Sequence, residues 1–360
     1  MSPRQPRTTY YKFLGLLFIG MLLRFSALAQ DPNFTQFYSQ PVQYNPAFTG
    51  INNGLRFGAI FRNQWSRIPG QFNTYSIALD AEALNLGGGL GFSASHDVEG
   101  EGLLSTTNFN ALYAYRVVQK DWMIQAGFSA GAYTQRLDFS KLIFTDQLDD
   151  KYGLVRPTAT GAVPTPVASK TFVDFTSGFV FRKNIRHKTQ RRKILATVNA
   201  GYAAHHITRP DQSLMLLDAR LPIRHSFQLN AAIPIKGLND PKHPALLIPA
   251  LLFESQMYFK ELVMGVNAVK EPLFGGVFYR SRVFKGLPQT YDVDALAANL
   301  GFETQLNKNV VMRFCYSYDI TVNNLRGFSP GTHEIGILLW NKNLYKKGRH
   351  AKKSLTCYSF

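Results

Sequence analysis

The chain has few charged residues for its length and few side chains that could cross-link it. Only 18% of its 360 residues are charged, whereas 13% are aromatic. Typical soluble domains carry about 25% charge, and a disordered chain has many charges and few aromatics. Its two cysteines, Cys315 and Cys357, cannot build a disulfide framework, and no Cys/His spacing is typical of zinc. The composition therefore excludes disordered, disulfide-rich and zinc-finger classes.

The sequence also lacks the motifs of the common catalytic sites. It contains no GxSxG, no HExxH, no Walker loop and no dinucleotide fingerprint. The glycines at 87–89 follow a tight turn at the start of a strand, which favours a turn or bulge over a phosphate site. His205 and His206 are adjacent on a predicted strand and so point to opposite faces, as do His333 and Glu334. We therefore expect no enzyme, no cofactor and no metal site.

The one long hydrophobic run stands near the N-terminus and is too short to span a bilayer. Three basic residues precede the apolar run 13–23, and the small-x-small residues 27–29 follow it. This order is typical of a secretory signal peptide, which we assign to residues 1–29. No later segment has the 18 or so uninterrupted apolar residues of a membrane-spanning helix. We expect an exported protein without spanning helices.

Apolar residues alternate with polar ones over unusually long stretches, as at 310–319 and 122–132. A period of two indicates strands with two different faces. These segments reach ten or more residues, as strands that cross a bilayer at a tilt do. A soluble β-sandwich or propeller would have shorter strands or a repeat of about 40–50 residues. The fourteen predicted strands lie near residues 54–62, 72–84, 87–96, 105–118, 122–137, 172–185, 194–206, 223–235, 245–253, 256–268, 272–282, 291–306, 309–319 and 331–340.

The connections between these strands alternate in length. They are mostly short after even-numbered strands and mostly long after odd-numbered ones, with exceptions at 186–193 and at Glu254-Ser255. Short turns on one rim, long loops on the other and both termini in the periplasm are typical of an outer-membrane barrel. We predict an all-β fold, an antiparallel transmembrane β-barrel of about 14 strands in the outer membrane.

This barrel predicts a division of the chain into four regions. They are a signal peptide at 1–29, an N-terminal periplasmic or lumenal segment at 30–53, the barrel at 54–340 and a basic periplasmic tail at 341–360. Backbone without a pairing partner cannot lie in lipid. The segment 30–53 is therefore expected at the periplasmic mouth or inside the lumen.

Basic residues concentrate where this topology puts the periplasmic rim. The turn 183–193 and the tail 341–360 are rich in Lys and Arg and contain no acid. One interpretation is a solvated rim that meets anionic headgroups, and the other is a docking surface for an acidic periplasmic partner. Nucleic acid is not expected, because no groove-binding motif is present. The candidate basic patch consists of Lys183, Arg186, Lys188, Arg191, Arg192, Lys193, Lys346, Lys347 and Arg349.

Several short motifs are distributed over about residues 30–340. Residues 31–50 read DPNFTQFYSQPVQYNPAFTG. The matching positions are Asn45, Pro46, Ala47, Gly50, Arg62, Trp65, Gly275, Gly276, Arg280, Asp319, His333 and Glu334. In this combination the chain resembles the PorP/SprF family of Bacteroidetes outer-membrane proteins, which is linked to type IX secretion and gliding. The basic tail, with Phe360 about twenty residues past the predicted last strand, departs from a barrel that stops at its final strand.

Some of these residues also have physical interpretations of their own. Arg62, Arg280 and Asp319 are expected to form ion pairs in the lumen, since a charged side chain facing lipid costs about 2–4 kcal/mol at the midplane. Trp65 follows the first strand and is expected to be an aromatic anchor at headgroup level.

The resemblance implies a non-catalytic barrel of the type IX secretion or gliding apparatus. It implies contacts with lipid, with periplasmic ring lipoproteins of the secretion system, or with the C-terminal signal domain of a secreted surface adhesin. The alternative is a diffusion channel or transporter. A barrel of fourteen strands is wide enough to need filling, so a plugged lumen favours the anchor and an open lumen the channel. An outer-membrane hydrolase would need Ser, His and an acid at one rim, and nothing selects such a triad.

Overall fold

A computed structural model of the chain describes thirteen parts of it: residues 33–52, 54–66, 70–100, 104–149, 151, 153–154, 167–187, 194–214, 219–235, 245–284, 292–307, 309–322 and 331–341. The predicted signal peptide lies outside these residues, as does the tail after Asn341. The same holds for these members of the basic patch: Lys188, Arg191, Arg192, Lys193, Lys346, Lys347 and Arg349.

Fourteen antiparallel strands form a closed barrel, which confirms the predicted fold class. Each strand pairs with its neighbours in sequence, and β1 pairs with β14 from Arg56–Trp340 to Gln64–Thr332. In the described residues, no helix is long and apolar enough to cross a membrane. The strands are β1 Leu55–Gln64, β2 Phe72–Ala83, β3 Gly88–Glu99, β4 Leu104–Gln119, β5 Trp122–Asp138, β6 Val167–Arg186, β7 Ile194–His205, β8 Arg224–Pro234, β9 Leu246–Gln256, β10 Phe259–Lys270, β11 Leu273–Phe284, β12 Asp292–Gln305, β13 Val310–Thr321 and β14 Thr332–Asn341.

The two faces of each strand differ as the alternation predicts. On β13, Arg313, Ser317 and Asp319 point into the barrel and are buried, whereas Tyr316 and Ile320 point outward and are exposed. Exposed Leu, Val, Ile and Phe side chains recur at outward positions of the strands. This band of apolar surface is suited to lipid, and the polar face of each strand lines the lumen.

The barrel has two distinct rims. The terminal rim is where β1 begins and β14 ends, and it also carries the connections after even-numbered strands. The loop rim carries the connections after odd-numbered strands, including the long ones after β5 and β7. The loop after β5 contains 3-10 turns at Phe139–Lys141 and Thr145–Gln147 and a two-stranded hairpin of Leu148–Asp149 with Gly153–Leu154.

Two predicted turns begin later in the sequence than expected. Glu254 and Ser255 belong to β9, and the turn that follows is Met257-Tyr258. Glu254 faces the lumen, where its carboxylate lies 3.4 Å from Arg224. Lys183 belongs to β6, as the predicted strand 172–185 has it, and the strand continues through Arg186, which we expected in the turn. Arg186 there pairs with Asp121.

The two histidines at the end of β7 also differ from the prediction. The strand ends at His205, and His206 adopts the left-handed conformation, with φ 57°. Both rings are therefore buried, instead of pointing to opposite faces. The Nδ1 atom of His206 lies 2.9 Å from the Asp174 carboxylate, and His205 Nε2 lies 3.0 Å from the Tyr44 carbonyl oxygen.

The lipid-facing band predicts how a charge on the outer surface affects stability. Leu300 is 67% exposed within β12, and Leu306 is 56% exposed in the turn after this strand. Leu300→Arg is expected to destabilise the barrel by about 2–4 kcal/mol, because it moves a charge into hydrocarbon. Leu306→Arg is the matched control and should be close to neutral. Denaturant unfolding of the protein refolded in phospholipid vesicles measures both; equal losses would contradict the assigned band.

Candidate functional site

The lumen is occupied by residues 34–52, which we call the lumen segment. It contains no charged residue and folds into two 3-10 turns, Pro41–Gln43 and Pro46–Phe48. Its first residues contact strand ends at the loop rim, and its last residues contact strand ends at the terminal rim, as described below. The lumen segment therefore crosses the barrel along its length before β1 begins.

At the loop rim, two carboxylates of the barrel wall hold the start of the lumen segment. Glu334 accepts hydrogen bonds from the N–H groups of Thr35 and Gln36, at 2.9 and 2.7 Å. Asp319 accepts one from the Thr35 hydroxyl, at 2.7 Å. Main-chain N–H groups are obligatory donors when they are buried. Both carboxylates thus satisfy groups that would otherwise be costly in the lumen.

Two arginines compensate these carboxylates. Arg62 lies 2.9 Å from Glu334 and 3.3 Å from Asp319, and Arg280 lies 3.1 Å from Asp319. Arg280 also lies 3.1 Å from Glu261. The pairs of Asp319 with Arg62 and Arg280 are the lumenal ion pairs that the sequence predicts. We call Arg62, Glu261, Arg280, Asp319 and Glu334 the loop-rim cluster; all five side chains are buried.

The middle of the lumen segment turns at Asn45. Its side-chain oxygen accepts a hydrogen bond from the Ala47 N–H, at 2.9 Å, and caps the turn that begins with Pro46. Its amide nitrogen donates to the carbonyl oxygens of Phe179 and Tyr202, at 3.1 and 3.2 Å. Asn45 therefore caps the turn and also connects it to β6 and β7 by hydrogen bonds. The Asn-Pro-Ala motif is thus a structural contact with the inner wall.

Glycines of the wall make room for this turn. A Cβ atom on Gly127 would lie 2.2 Å from the Ala47 nitrogen, and one on Gly178 would lie 2.4 Å from the Asn45 side-chain oxygen. Real Cβ atoms do not approach other atoms so closely. The lumen segment contacts the backbone of β5 and β6 directly at these two positions.

At the terminal rim, a second set of charged residues holds the end of the lumen segment. The N–H of Gly50, which has φ 66°, donates to Asp80 at 2.8 Å. Arg56 lies 2.8 Å from the same carboxylate. Arg116 donates to the Gly50 carbonyl oxygen and lies 2.9 Å from Glu82. Both peptide groups of Gly50 are therefore bonded to the barrel wall.

Aromatic packing fills the side of the lumen formed by β11. Tyr38 stacks on Phe278 with ring centroids 5.5 Å apart, and Phe37 meets the same ring edge-on. The Tyr38 hydroxyl accepts a hydrogen bond from Asn299, at 2.9 Å, and Asn299 donates to Asn267 at the same distance. Gly276 leaves space for Asn267, whose oxygen would lie 2.3 Å from a Cβ atom there.

The remaining motif residues lie away from the lumen segment. Trp65 follows β1 with φ 62°, and its ring centroid lies 4.9 Å from that of Phe72. His333 points outward and its Nδ1 lies 2.7 Å from the Tyr316 hydroxyl. Gly275 is also part of the wall, in β11. The structure thus brings most of the motif together around the lumen segment but leaves these three outside it.

The sequence did not indicate which residues contact the family-motif residues. The most important of these contacts are those of Thr35, Gln36 and Glu261, and those that the wall makes with Gly50. A usable signal was present in the strands. Asp80, Arg116 and Arg182 stand at inward positions of strands with apolar outward faces. Charged residues at such positions must find partners inside the barrel, which indicates a filled lumen.

Within the described residues, no group of three or more His, Cys, Asp or Glu side chains is placed to hold a metal ion. Outside the membrane-spanning part, a hydrogen bond from Lys170 lowers the pKa of Asp211 to about 2. This pair joins the start of β6 to the loop after β7. It therefore stays ionised down to strongly acidic pH.

Comparison with known proteins identifies one family. The profile described as "Type IX secretion system membrane protein PorP/SprF" matches residues 26–338. No curated protein matches the chain in sequence.

Solved structures with a similar fold are barrels of low sequence identity. CdiB from Acinetobacter baumannii is 8% identical, with a TM-score of 0.40; 80% of this chain is covered, and the chain spans only 60% of CdiB. The TodX monoaromatic hydrocarbon channel deltaS2 mutant is 11% identical, with a TM-score of 0.43, and the match covers 85% of this chain and 94% of the channel. The translocator domain of autotransporter NalP from Neisseria meningitidis is 14% identical, with a TM-score of 0.36, and the match covers 94% of this chain and 100% of the domain.

The loop-rim cluster predicts different effects for two adjacent residues of β14. Glu334→Ala removes the nearer of the two carboxylates of Arg62 and the acceptor of two buried main-chain N–H groups, so we expect a loss of about 3–5 kcal/mol in stability. Hydrogen exchange at residues 34–40 should become faster. His333→Ala, which changes the neighbouring outward side chain, should leave this exchange unchanged. Equal exchange in the two variants would contradict the role of Glu334.

The close approach at Gly127 predicts a steric effect. Gly127→Ala should displace the turn at Asn45–Ala47 and cost about 1–3 kcal/mol, as overpacking does. Gly275→Ala is the control, because the nearest atom to its Cβ would be 3.3 Å away. Thermal unfolding and hydrogen exchange of residues 41–50 measure both variants. An unchanged Gly127→Ala protein would show that the turn does not rest on β5.

Proposed function

The chain belongs to the PorP/SprF family of type IX secretion system membrane proteins, and from this premise we propose that it is a sealed, non-catalytic anchor in the outer membrane. The observation that carries the proposal is the lumen segment, which is held at both rims by buried charged groups. A barrel closed in this way acts through its rims. It holds other proteins and does not conduct solutes.

The filled lumen supports this reading over an open channel. Removing the lumen segment would leave the ion pairs of the wall without their main-chain hydrogen bonds, and buried ions need hydrogen bonds as well as counter-ions. The wall is thus built around the lumen segment. The alternative function, a diffusion channel, would need a continuous opening, whereas the cavity beside the segment has a volume of only about 30 Å³ and is lined in part by Phe48, Arg56, Arg182 and Ile248.

The two rims suit different partners. We assign the loop rim to the cell exterior, because long loops face outward in outer-membrane barrels. There it would hold an exported surface protein, such as a gliding adhesin, by its C-terminal signal domain. The basic residues predicted for the terminal rim and the tail would dock periplasmic ring lipoproteins of the secretion system through charge complementarity.

Affinity purification from native membranes tests the proposal. The tagged mature protein, extracted in mild detergent, is expected to retain ring lipoproteins or a large exported protein, identified by mass spectrometry. A barrel recovered without any partner would overturn the anchor function. The experiment requires quantitative comparison with an untagged strain.

The basic tail predicts a charge-dependent part of this binding. The triple variant Lys346→Gln, Lys347→Gln, Arg349→Gln should lose periplasmic lipoproteins and retain exported proteins, because it weakens only electrostatic contacts on one side of the membrane. The control keeps the charges: Lys346→Arg, Lys347→Arg, Arg349→Lys. Equal recovery of lipoproteins with both variants would show that the tail is merely solvated.

A further inference from the structure

One strand of the closed barrel extends well beyond its neighbour. β6 has 20 residues and pairs with β5 up to its first residue, Val167. Its pairing with β7 begins only at Ser177. Residues 167–176 of β6, which we call the β6 overhang, are therefore paired with another strand along one edge only, within the described part of the chain.

The main-chain groups on the other edge can be assigned from the neighbouring bonds. The Phe175 carbonyl oxygen points away from β5, since it accepts a hydrogen bond from the Ile207 N–H at 3.1 Å. Successive residues of a strand direct their N–H and C=O groups to alternate sides. Ser169, Thr171 and Val173 therefore direct theirs away from β5. In the described residues, no strand pairs with them on that side.

The outer face of the β6 overhang is polar and accessible. Ser169 and Thr171 are exposed, and the Thr171 hydroxyl lies 3.0 Å from that of Thr134 on β5. Between residues 169 and 173, Val173 is the apolar side chain on this face. Such a surface does not suit hydrocarbon, so the overhang stands in water above the membrane at the loop rim.

The loop after β7 crosses the inner side of the overhang. Lys170, which points inward, pairs there with Asp211. This contact fixes the loop to side chains on the inner face and leaves the outward side chains of Ser169, Thr171 and Val173 accessible. Proteins usually protect a strand edge in water with bulges, prolines, charged side chains or a covering loop. The sequence VASKTFVD at 167–174 contains no proline, and its two charged side chains, Lys170 and Asp174, point inward, where they pair with Asp211 and His206.

We propose that the edge of β6 at residues 169–173 binds an extended strand of the exported partner by β-augmentation. Within the described residues, no main-chain bond satisfies the N–H and C=O groups on this edge, and another main chain in extended conformation matches their spacing. The occupant is an exported polypeptide because the loop rim faces the exterior. This inference rests on the proposed anchor function and specifies its contact surface.

A proline substitution tests the edge without breaking the barrel. The N–H of Thr171 points away from β5, so Thr171→Pro removes no bond of the β5–β6 ladder, and proline is tolerated at strand edges. The variant lacks a donor and places a ring where the partner strand would lie. Thr171→Ala is the matched control, because it also loses the contact with Thr134 but keeps the N–H. Heat-shifted migration on gels confirms that both variants are assembled.

Recovery of the exported partner from native membranes is then compared among the wild type and both variants. We expect Thr171→Pro to reduce it about tenfold or more, since several main-chain hydrogen bonds are lost together, and Thr171→Ala to leave it near wild type. If both variants recover equal amounts of the exported partner, the edge of β6 is not the contact surface, and the proposed anchor function still stands. No partner on the wild-type barrel would overturn both.

Hydrogen exchange provides a second measurement. In the purified barrel, the amides of Ser169, Thr171 and Val173 should exchange fast, and in the isolated complex they should be protected. A photo-crosslinker at Ser169 should join one segment of the exported partner. Protection already present in the free barrel would show that a second copy or another part of this chain occupies the edge, and would overturn the proposal.

Discussion

Glu334 binds two consecutive main-chain N–H groups of the lumen segment and pairs with Arg62, and this contact holds the start of the segment inside the barrel. A wall of fourteen strands encloses a wide interior, which side chains of the wall alone do not fill. A chain that enters this interior brings unpaired N–H and C=O groups with it. The inward residues of the wall supply their partners at both rims.

Charge is distributed unequally between the two parts. The lumen segment has none, whereas the wall contributes arginines and carboxylates that compensate each other, such as Arg280 with Asp319 and Arg116 with Glu82. Buried ions need both a counter-ion and hydrogen bonds. Here the counter-ions come from other strands of the wall, and part of the hydrogen bonds come from the lumen segment. The lumen segment thus completes a hydrogen-bond network that the side chains of the wall alone do not complete.

The sequence predicted the strands because alternation has a simple physical cause: one face meets lipid and the other meets the lumen. The same reasoning predicted the pairs of Asp319 with Arg62 and Arg280, because a charge on an inward position needs a partner. It did not show that Glu334 and Asp319 bind Thr35, because nothing in the local pattern reports contacts between residues about 300 positions apart. Glu254 was misread as a turn residue because polar residues mark both turns and lumen-facing positions.

We propose above all that residues 34–52 seal the lumen. Planar-bilayer recording of the purified barrel tests it most directly. The wild-type protein is predicted to give no stable conductance steps, and a variant lacking residues 34–48 that still assembles is predicted to give them. Stable single-channel steps from the wild type would contradict the sealed anchor and favour the diffusion channel.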